Sequence, residues 1–282
     1  MADSLNGRTI FMSGGSRGIG LAIALRAARD GARVALMAKT AEPHPKLPGT
    51  VFTAAEEIEA AGGEALPIVG DIRDAAAVDA AVAQAAERFG GIDVVVNNAS
   101  AINLAPMRDL EVKRFDLMQT INARGTFVVT RACLPHLRES GHAHVLTLSP
   151  PLSTDPRWLG FHSAYTLSKM GMTMITLGLA ADEAEAGIAA NCLWPRTIIA
   201  TAAVQNLLGG DQAMARARVP EILADAAQAI LVRDPRSCTG NTFIDDEVLA
   251  EAGVTDLDGY AAEGAELQLD IFVDSWPEPA RA

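Results

Sequence analysis

The residues Ser13-Gly14-Gly15-Ser16-Arg17-Gly18-Ile19-Gly20 form a glycine-rich turn that directly follows the apolar run 9–13. The run has the length and composition of a buried strand, and a helix is predicted over about residues 19–30. Glycine permits tight turns and lets a ligand approach the backbone closely, and the N–H groups at a helix N-terminus attract phosphate. A strand, a glycine-rich turn and a helix in this order predict a site for a phosphate-bearing ligand.

The same alternation of short apolar runs and longer amphipathic stretches continues along the chain. Further strands are predicted at 33–38, 65–69, 93–96, 144–149, 188–193 and 241–245. Helices are predicted at 51–61, 75–89, 109–139 (as one or two), 163–186 and within 200–232. Strands alternating with helices of this length indicate a parallel sheet covered by helices on both faces. The predicted fold class is α/β: a Rossmann-type doubly wound parallel sheet of about seven strands, forming a single domain with an acidic C-terminal tail.

The composition is that of a folded chain and excludes several classes of protein. Apolar residues make up 49% of the sequence, whereas disordered chains combine low hydrophobicity with high net charge. The net charge of −12 disfavours nucleic-acid binding, which requires clustered cations. No segment approaches ~20 consecutive apolar residues, and Cys133, Cys192 and Cys238 include no CxxC pair. We therefore expect a cytoplasmic protein with reduced thiols, without a metal site, a nucleic-acid partner or a membrane span.

The end of the second predicted strand bears on which nicotinamide cofactor the turn would hold. In NAD sites an acidic residue about 20 residues after the turn binds the ribose 2′-hydroxyl. Here the strand ends in Met37-Ala38-Lys39-Thr40, without an acidic residue. Lys39 and Arg17 can instead pair with a 2′-phosphate, so the sequence favours NADP(H). Taken alone, Lys39 is equally consistent with a solvated surface charge.

Further motifs follow in order along the chain: Gly70-Asp71-Ile72, Asn97-Asn98-Ala99-Ser100, Asn122 and Tyr165-x-x-x-Lys169. Together with the glycine-rich turn, over about residues 6–246, they resemble the short-chain dehydrogenase/reductase family. The resemblance implies that Asp71 and Ile72 hold the adenine and that Asn97 and Ala99 line the ribose side. The cofactor-binding residues of these segments are then Ser13, Gly14, Ser16, Arg17, Gly18, Ile19, Gly20, Lys39, Asp71, Ile72, Asn98 and Ala99, besides Tyr165 and Lys169 themselves.

The pair Tyr165 and Lys169 indicates proton transfer. Four residues apart on a predicted helix, the two side chains share one face, and a nearby ammonium lowers the pKa of a phenol. A phenol tuned in this way donates a proton to a carbonyl oxygen or accepts one from an alcohol. The resemblance further implies that Lys169 binds the nicotinamide ribose and that Asn122 holds a water that relays the proton to solvent.

One departure from the family pattern concerns the substrate oxygen. The serine that the family places at the end of the fifth strand aligns with Pro150, in the sequence Ser149-Pro150-Pro151-Leu152-Ser153. Ser149 or Ser153 can supply the hydroxyl, and Ser149 is preferred as the catalytic serine because it adjoins the strand end. Alternatively, both serines cap turns.

A second departure lies after the sixth strand, where the family's Pro-Gly is replaced by Pro195-Arg196. Here Pro195 and the backbone of Ile198 or Ile199 are expected to meet the carboxamide of the cofactor. Thr201 is expected to reach the amide or the pyrophosphate.

Apolar residues on predicted loops suggest a lipophilic substrate, because this architecture binds ligands at the carboxyl ends of its strands. These residues are Met107, Trp158, Leu159, Phe161, Trp194, Leu207 and Leu208. Simple packing against the core is an equal alternative.

The sequence thus predicts an NADP(H)-dependent oxidoreductase that acts on a carbonyl or secondary alcohol. Residues 1–246 form the predicted catalytic domain, and residues 247–282 a tail that covers it. The family implies a homodimer or homotetramer that forms through the helices at 112–138 and 163–186. An apolar stripe along the second helix, which includes Met170 and Met174, belongs either to the core or to this interface. A non-catalytic NADP(H)-binding sensor or partner-binding protein is the alternative, motivated by Pro150 and Arg196. An epimerase or dehydratase on the same scaffold is a weaker third possibility.

Overall fold

Seven parallel strands form one sheet in the computed structural model, which describes residues 4–44, 47–207 and 209–277. The strands are β1 (Thr9–Ser13), β2 (Arg33–Ala38), β3 (Glu64–Val69), β4 (Val94–Asn97), β5 (His144–Leu148), β6 (Ala189–Trp194) and β7 (Thr242–Ile244). Their order is β3-β2-β1-β4-β5-β6-β7, which confirms the predicted fold class. The order reverses between β1 and β4, and the crevice outside the strand ends at such a point is where this architecture binds ligands.

Helices cover both faces of the sheet. They are α1 (Gly18–Arg29), α2 (Val51–Ala60), α3 (Ala75–Phe89), α4 (Val112–Ile121), α5 (Ala123–Glu139), α6 (Pro156–Phe161), α7 (Ser163–Asp182), α8 (Ala202–Leu207), α9 (Gly210–Met214), α10 (Glu221–Leu231) and α11 (Asp245–Glu251). The predicted span 109–139 is two helices that meet at Asn122, and the span 200–232 contains three. Within the described residues, no helix is both long enough and apolar enough to cross a membrane.

The alternation of side chains along the strands divides the core into two layers. Ile10 and Met12 of β1 pack in the layer below α1 and α10, together with Leu223. Phe11, between them, packs in the opposite layer against residues of α3 and α5 such as Val82. Because successive side chains of a strand point to opposite faces, one fully buried strand supplies both layers.

Local sequence signals explain where two of these helices begin and end. The Thr50 hydroxyl accepts a hydrogen bond from Thr53 N, and Thr53 reciprocates at the Thr50 backbone, so a capping box starts α2. Asp74 caps α3, and Gly90 ends it in the left-handed conformation. Thr40 O accepts from the N–H of Val51 at 2.9 Å, so the start of α2 closes the long loop 40–50.

The chain beyond residue 246 stays in contact with the sheet and its helices. Helix α11 crosses the predicted domain boundary and buries Val248 and Leu249 in the layer below α10. A short 3₁₀ helix, Asp258–Tyr260, follows, and Val219 N donates to Tyr260 O at 2.8 Å. The remaining described residues return to the carboxyl ends of β5 and β6, where the candidate site lies.

Candidate active site

The glycine-rich turn connects β1 to α1 at the switch point of the sheet. Gly14 and Gly18 have φ angles of +76° and +57°, which other residues rarely adopt. A Cβ atom at Gly20 would lie 2.5 Å from Asn98 Nδ2 and 2.9 Å from Gly14 O. The backbone of the turn is therefore packed too closely for larger residues, and the N-terminus of α1 opens beside it. Ser16 is buried and Ile19 partly buried within the same turn.

The end of β4 supports this turn. Asn98 Nδ2 donates a hydrogen bond to Gly14 O at 2.8 Å, and Ala99 N donates to Ser13 Oγ at 3.2 Å. Asn97 is buried, and its amide donates to Thr130 Oγ1 at 3.0 Å. The Asn97–Ala99 segment thus connects the turn to the sheet interior.

Arg17 precedes α1 and lies under the long loop 40–50. Its Nη2 donates to Gly49 O at 3.0 Å. Its Nε is buried and has no hydrogen-bond partner among the described residues, and burial lowers the pKa of the guanidinium. A buried N–H donor without an acceptor is costly, so an anion at this position would supply a missing partner.

Lys39 at the end of β2 contacts Asp71 after β3. The Lys39 ammonium lies 3.5 Å from the Asp71 carboxylate, and its side chain is 58% exposed. Arg73 binds the same carboxylate at 2.6 Å and, with Lys39, lowers the pKa of Asp71 to about 2. Ile72 is buried beside α5, where its Cδ1 lies 2.8 Å from the position of a Cβ on Gly125. Lys39 and the predicted adenine-side residues therefore line one edge of the crevice.

Tyr165 and Lys169 share the buried face of α7, as predicted. Their exposed fractions are 4% and 3%. Lys169 Nζ donates to Leu148 O at 2.8 Å and lies 5.1 Å from the ring centroid of Trp194. Burial lowers the pKa of Lys169 to about 7, so its ammonium loses a proton far more readily than an exposed lysine does.

The pKa of Tyr165 moves in the direction opposite to the sequence prediction. Burial raises it well above the ordinary value, the Asp270 carboxylate raises it further, and a hydrogen bond with Ser100 lowers it. Lys169 is not among the groups that shift this pKa; its ammonium donates to Leu148 O. The sequence prediction considered the spacing along the helix and omitted the cost of burying a charged phenolate.

Asn122 lies at the junction of α4 and α5, with a ψ of −80° that interrupts the helix. Its Oδ1 accepts from Ala101 N at 2.8 Å. Its Nδ2 donates to Ala101 O at 3.0 Å and to Ser168 Oγ at 2.8 Å. The side chain thus connects the loop after β4 to α7, one residue before Lys169. Its role in holding a water stays a prediction.

Ser149 is fully buried at the end of β5. Its Oγ lies within hydrogen-bond distance of Thr173 Oγ1, at 3.0 Å, and the Thr173 hydroxyl donates to Pro150 O at 2.7 Å. Ser153, the alternative serine, accepts from Asp155 N at 3.2 Å and so stabilises a turn. Ser100, and neither of these two serines, is among the groups that shift the Tyr165 pKa, and the catalytic role of Ser149 stays a prediction.

The segment after β6 contacts both the turn and the tail. Ile198 N donates to Gln268 O at 3.0 Å, so this N–H is occupied by the tail. A Cβ on Gly18 would lie 3.5 Å from Thr201 Cγ2, which places Thr201 at the phosphate end of the crevice. Pro195 is buried just before this segment.

The structure explains why an arginine, Arg196, stands at the position where the family has glycine. Its Nε donates to the Asp246 carboxylate at 3.0 Å, its Nη2 binds Glu247, and its Nη1 donates to Ser275 O at 2.9 Å. The side chains of Arg196 and Asp246 are both 6% exposed. Arg196 therefore joins α11 and the tail to the end of β6.

We expect Arg196→Ala to lower the free energy of unfolding by about 3–5 kcal/mol. Among the described residues, the buried Asp246 carboxylate then keeps one cation, Arg218, at 3.8 Å. Urea denaturation measures this loss. Arg108→Ala, at an 83% exposed arginine, is the control and is expected to change it by about 0.5 kcal/mol or less. Equal effects of the two substitutions would contradict the assigned role of Arg196.

The predicted substrate-side residues separate into two groups. Trp194 and Trp158 pack around Tyr165, together with Met118 of α4. Met107, Leu159, Phe161 and Leu207 are 77%, 45%, 69% and 62% exposed, and Leu208 lies outside the described residues.

Sequence reasoning missed the contribution of the tail to this site. Phe272 and Val273 pack in the same cluster as Tyr165. Asp270 interacts electrostatically with both Tyr165 and Lys169, and burial raises the pKa of its own carboxyl to about 8. No local motif marks these residues, which follow Tyr165 by more than one hundred positions.

Comparisons with known proteins agree on one family. The sequence model described as short chain dehydrogenase matches residues 8–211. Hydroxysteroid dehydrogenase-like protein 2 from Danio rerio is 53% identical over 275 residues, covering 97% of this chain and 66% of the relative. The protein of the same name from Homo sapiens is 51% identical, covering 97% and 65%. The chain thus spans slightly less than two thirds of these curated relatives.

Two solved structures are similar over nearly the whole chain. A crystal structure of a chain assigned as a dehydrogenase from Xanthomonas campestris is 55% identical, with a TM-score of 0.94, and covers 96% of this chain and 100% of that one. A short chain dehydrogenase from Mycobacterium thermoresistibile is 59% identical, with a TM-score of 0.93, covering 98% and 99%. These matches confirm the resemblance that the motifs indicate.

Proposed function

Because the chain belongs to the short-chain dehydrogenase family, we propose that it is an NADP(H)-dependent oxidoreductase acting on the carbonyl or secondary alcohol of a lipophilic substrate. The observation that carries the proposal is the buried pair Tyr165 and Lys169, beside the carboxyl end of β5. The curated relatives carry the name hydroxysteroid dehydrogenase-like protein 2, and we propose a lipophilic carbonyl compound as the substrate of this chain.

The crevice residues fit a dinucleotide. The turn at Gly14 and Gly20 admits close approach of a pyrophosphate, and the buried Arg17 Nε lacks a partner that a 2′-phosphate oxygen would supply. Lys39, 58% exposed on the same edge, would pair with the same phosphate. When bound, the nicotinamide supplies or accepts the hydride.

The residues of the chain would handle the proton. The Tyr165 hydroxyl donates its proton to the oxygen of the carbonyl, or accepts one from the alcohol in the reverse direction. Because burial holds the Tyr165 pKa above its ordinary value, the phenol carries its proton at neutral pH. Lys169, whose pKa lies at about 7, is able to exchange a proton near neutral pH.

Exposed apolar side chains support a homodimer or homotetramer. Phe127 of α5 and Leu167 and Met174 of α7 are 53%, 56% and 63% exposed, whereas Met170 is buried. We propose that Met174 belongs to an interface between copies and Met170 to the core. A cytoplasmic location is proposed from the three buried free cysteines.

A cofactor titration followed by a carbonyl panel tests the proposed function. NADPH is expected to bind more tightly than NADH, and lipophilic ketones or aldehydes are expected to oxidise NADPH stoichiometrically. Tight NADPH binding without turnover of any carbonyl or alcohol would favour a non-catalytic sensor. Turnover without net NADPH oxidation would favour an epimerase or dehydratase.

We expect Asn122→Ala to lower kcat by roughly 10- to 100-fold, because the loop after β4 and α7 lose the side chain that connects them and the reacting groups shift. Steady-state kinetics at saturating NADPH measures the loss. Asn6→Ala, at an exposed asparagine near the start of β1, is the control. An unchanged kcat in Asn122→Ala would show that Asn122 does not position the reacting groups.

A further inference from the structure

Residues 268–275 of the tail, here called the C-terminal strap, lie across the candidate active site. Apart from an isolated bridge between Thr197 and Leu269, the strap has no helix or strand. Seven hydrogen bonds attach it to other described residues: Ile198 N to Gln268 O (3.0 Å), Gln268 N to Arg216 O (3.0 Å), Asp270 N to Arg196 O (2.9 Å), Trp194 Nε1 to Ile271 O (2.9 Å), Arg157 Nη2 to Asp274 Oδ1 (2.8 Å), Trp158 Nε1 to Asp274 Oδ1 (3.2 Å) and Arg196 Nη1 to Ser275 O (2.9 Å).

Phe272 is the residue of the strap that enters the site. Its ring stacks on Tyr165 with the centroids 6.2 Å apart and the planes at 25°. The centroid also lies 5.8 Å from that of Trp158 and 5.9 Å from that of Trp194. Only 5% of Phe272 is exposed. Its ring therefore fills an apolar position bounded by two indoles and the candidate catalytic phenol.

This arrangement covers the group that must meet substrate. A proton is transferred only within hydrogen-bond reach of the Tyr165 hydroxyl, yet Tyr165 is 4% exposed. A substrate oxygen therefore reaches Tyr165 only after a covering group moves. Phe272 stacks on Tyr165, and the segment that carries it belongs to no helix or strand. The other groups around Tyr165, Trp158 and Trp194, lie on a helix and a strand. We therefore take Phe272 as the covering group that moves.

The backbone of Phe272 supports the same reading. Its φ angle is 71°, and within the described residues it is the one non-glycine residue with a positive φ. Bulky residues rarely adopt this conformation, and such strain clusters at ligand clamps and switch regions. The ring contacts with Tyr165, Trp158 and Trp194 and the hydrogen bonds at Asp270 and Ile271 accompany this conformation.

We propose that Phe272 holds the place of the apolar group of the substrate, which displaces it during binding. This inference rests on the proposed carbonyl function and narrows its substrate class. The position between Trp158 and Trp194 favours carbonyl compounds whose apolar group is at least the size of a six-membered ring, because only such a group replaces the contacts that Phe272 gives up. Since the closed form does not bind substrate, Phe272 also raises KM.

Phe272→Ala tests the proposal, with acetophenone and acetone as substrates at saturating NADPH. In the wild type, kcat/KM is expected to be at least about tenfold higher for acetophenone. In Phe272→Ala, KM for acetophenone is expected to fall about tenfold with kcat within about twofold, because the competing ring is absent. Phe272→Leu, which keeps an apolar side chain, is expected to give an intermediate KM. Trp276→Ala, at a 44% exposed aromatic residue of the same tail, is the matched control.

Three results would overturn the proposal: an unchanged or higher KM in both Phe272 variants, a fall in kcat alone, or equal kcat/KM values for the two ketones in the wild type. Calorimetric titration of acetophenone into the cofactor-free wild type and variants separates this proposal from the proposed function. If acetophenone binds more tightly to Phe272→Ala but is not turned over, the proposed carbonyl reductase activity is refuted, whereas the displacement of Phe272 by a ligand is supported. If the protein turns over acetophenone but Phe272→Ala binds it as the wild type does, only the proposed displacement of Phe272 is refuted. If Phe272→Ala fails to fold, the KM for acetophenone and its calorimetric dissociation constant are measured in Phe272→Leu instead, and the same outcomes apply.

Discussion

Tyr165→Phe is expected to reduce kcat by about 10³-fold, because general acid catalysis by a positioned group contributes about 10²- to 10⁴-fold. Removal of the hydroxyl leaves the ring, so the stacking on Phe272 at 6.2 Å is retained. The dissociation constant of NADPH, measured by fluorescence titration, is expected to stay within about twofold. The effect therefore falls on the chemical step and not on the fold or the cofactor.

The chain provides its own control for this substitution. Its second tyrosine, Tyr260, donates a hydrogen bond to Asp225 at 2.7 Å, away from the Tyr165 cluster. Tyr260→Phe removes the same atom and is expected to leave turnover unchanged. Substantial turnover in Tyr165→Phe would exclude Tyr165 as the proton donor and acceptor.

The second large effect concerns cofactor choice. The double variant Arg17→Ala with Lys39→Ala is expected to weaken NADPH binding by about 10²-fold or more, because hydrogen bonds to charged groups contribute about 1.5–3 kcal/mol each. NADH lacks the 2′-phosphate, so its dissociation constant is expected to change by about threefold or less. Parallel titrations of both cofactors measure the change in their ratio.

Arg131→Ala is the control for the loss of a surface cation, since Arg131 is 52% exposed and paired with Asp79. A parallel weakening of NADPH and NADH would show that Arg17 and Lys39 support the crevice in general. Unchanged binding of NADPH would place its 2′-phosphate elsewhere. Because Lys39 also contacts Asp71 at 3.5 Å, the single variants separate its contribution from that of Arg17.

The fold and the outline of the site followed from local patterns. Strand β1 and the turn at Gly14 are adjacent in sequence, and the period of apolar residues depends only on neighbours along the chain. Tyr165 and Lys169 lie one helical turn apart, so their shared face could be predicted without a structure. The same holds for the seven strands, whose apolar runs alternate with helices.

The chemical state of the site depended on residues that are distant in sequence. Phe272 and Asp270 reach Tyr165 only because the tail returns across the sheet, and Arg196 takes part in that path by binding Asp246 and Ser275. Spacing along α7 led to the wrong direction for the Tyr165 pKa. The burial that raises it is produced by several segments at once.

The doubly wound sheet, the glycine-rich turn and the tyrosine–lysine pair could be predicted from the sequence, because each leaves a pattern among residues that are close together in the chain. What surrounds that pair, including Ser100, the carboxyl of Asp270 and the ring of Phe272, is visible only in the folded structure. Desolvation and long-range packing are properties of the whole folded chain. For this reason no local sequence motif predicted the residues that surround Tyr165 and Lys169.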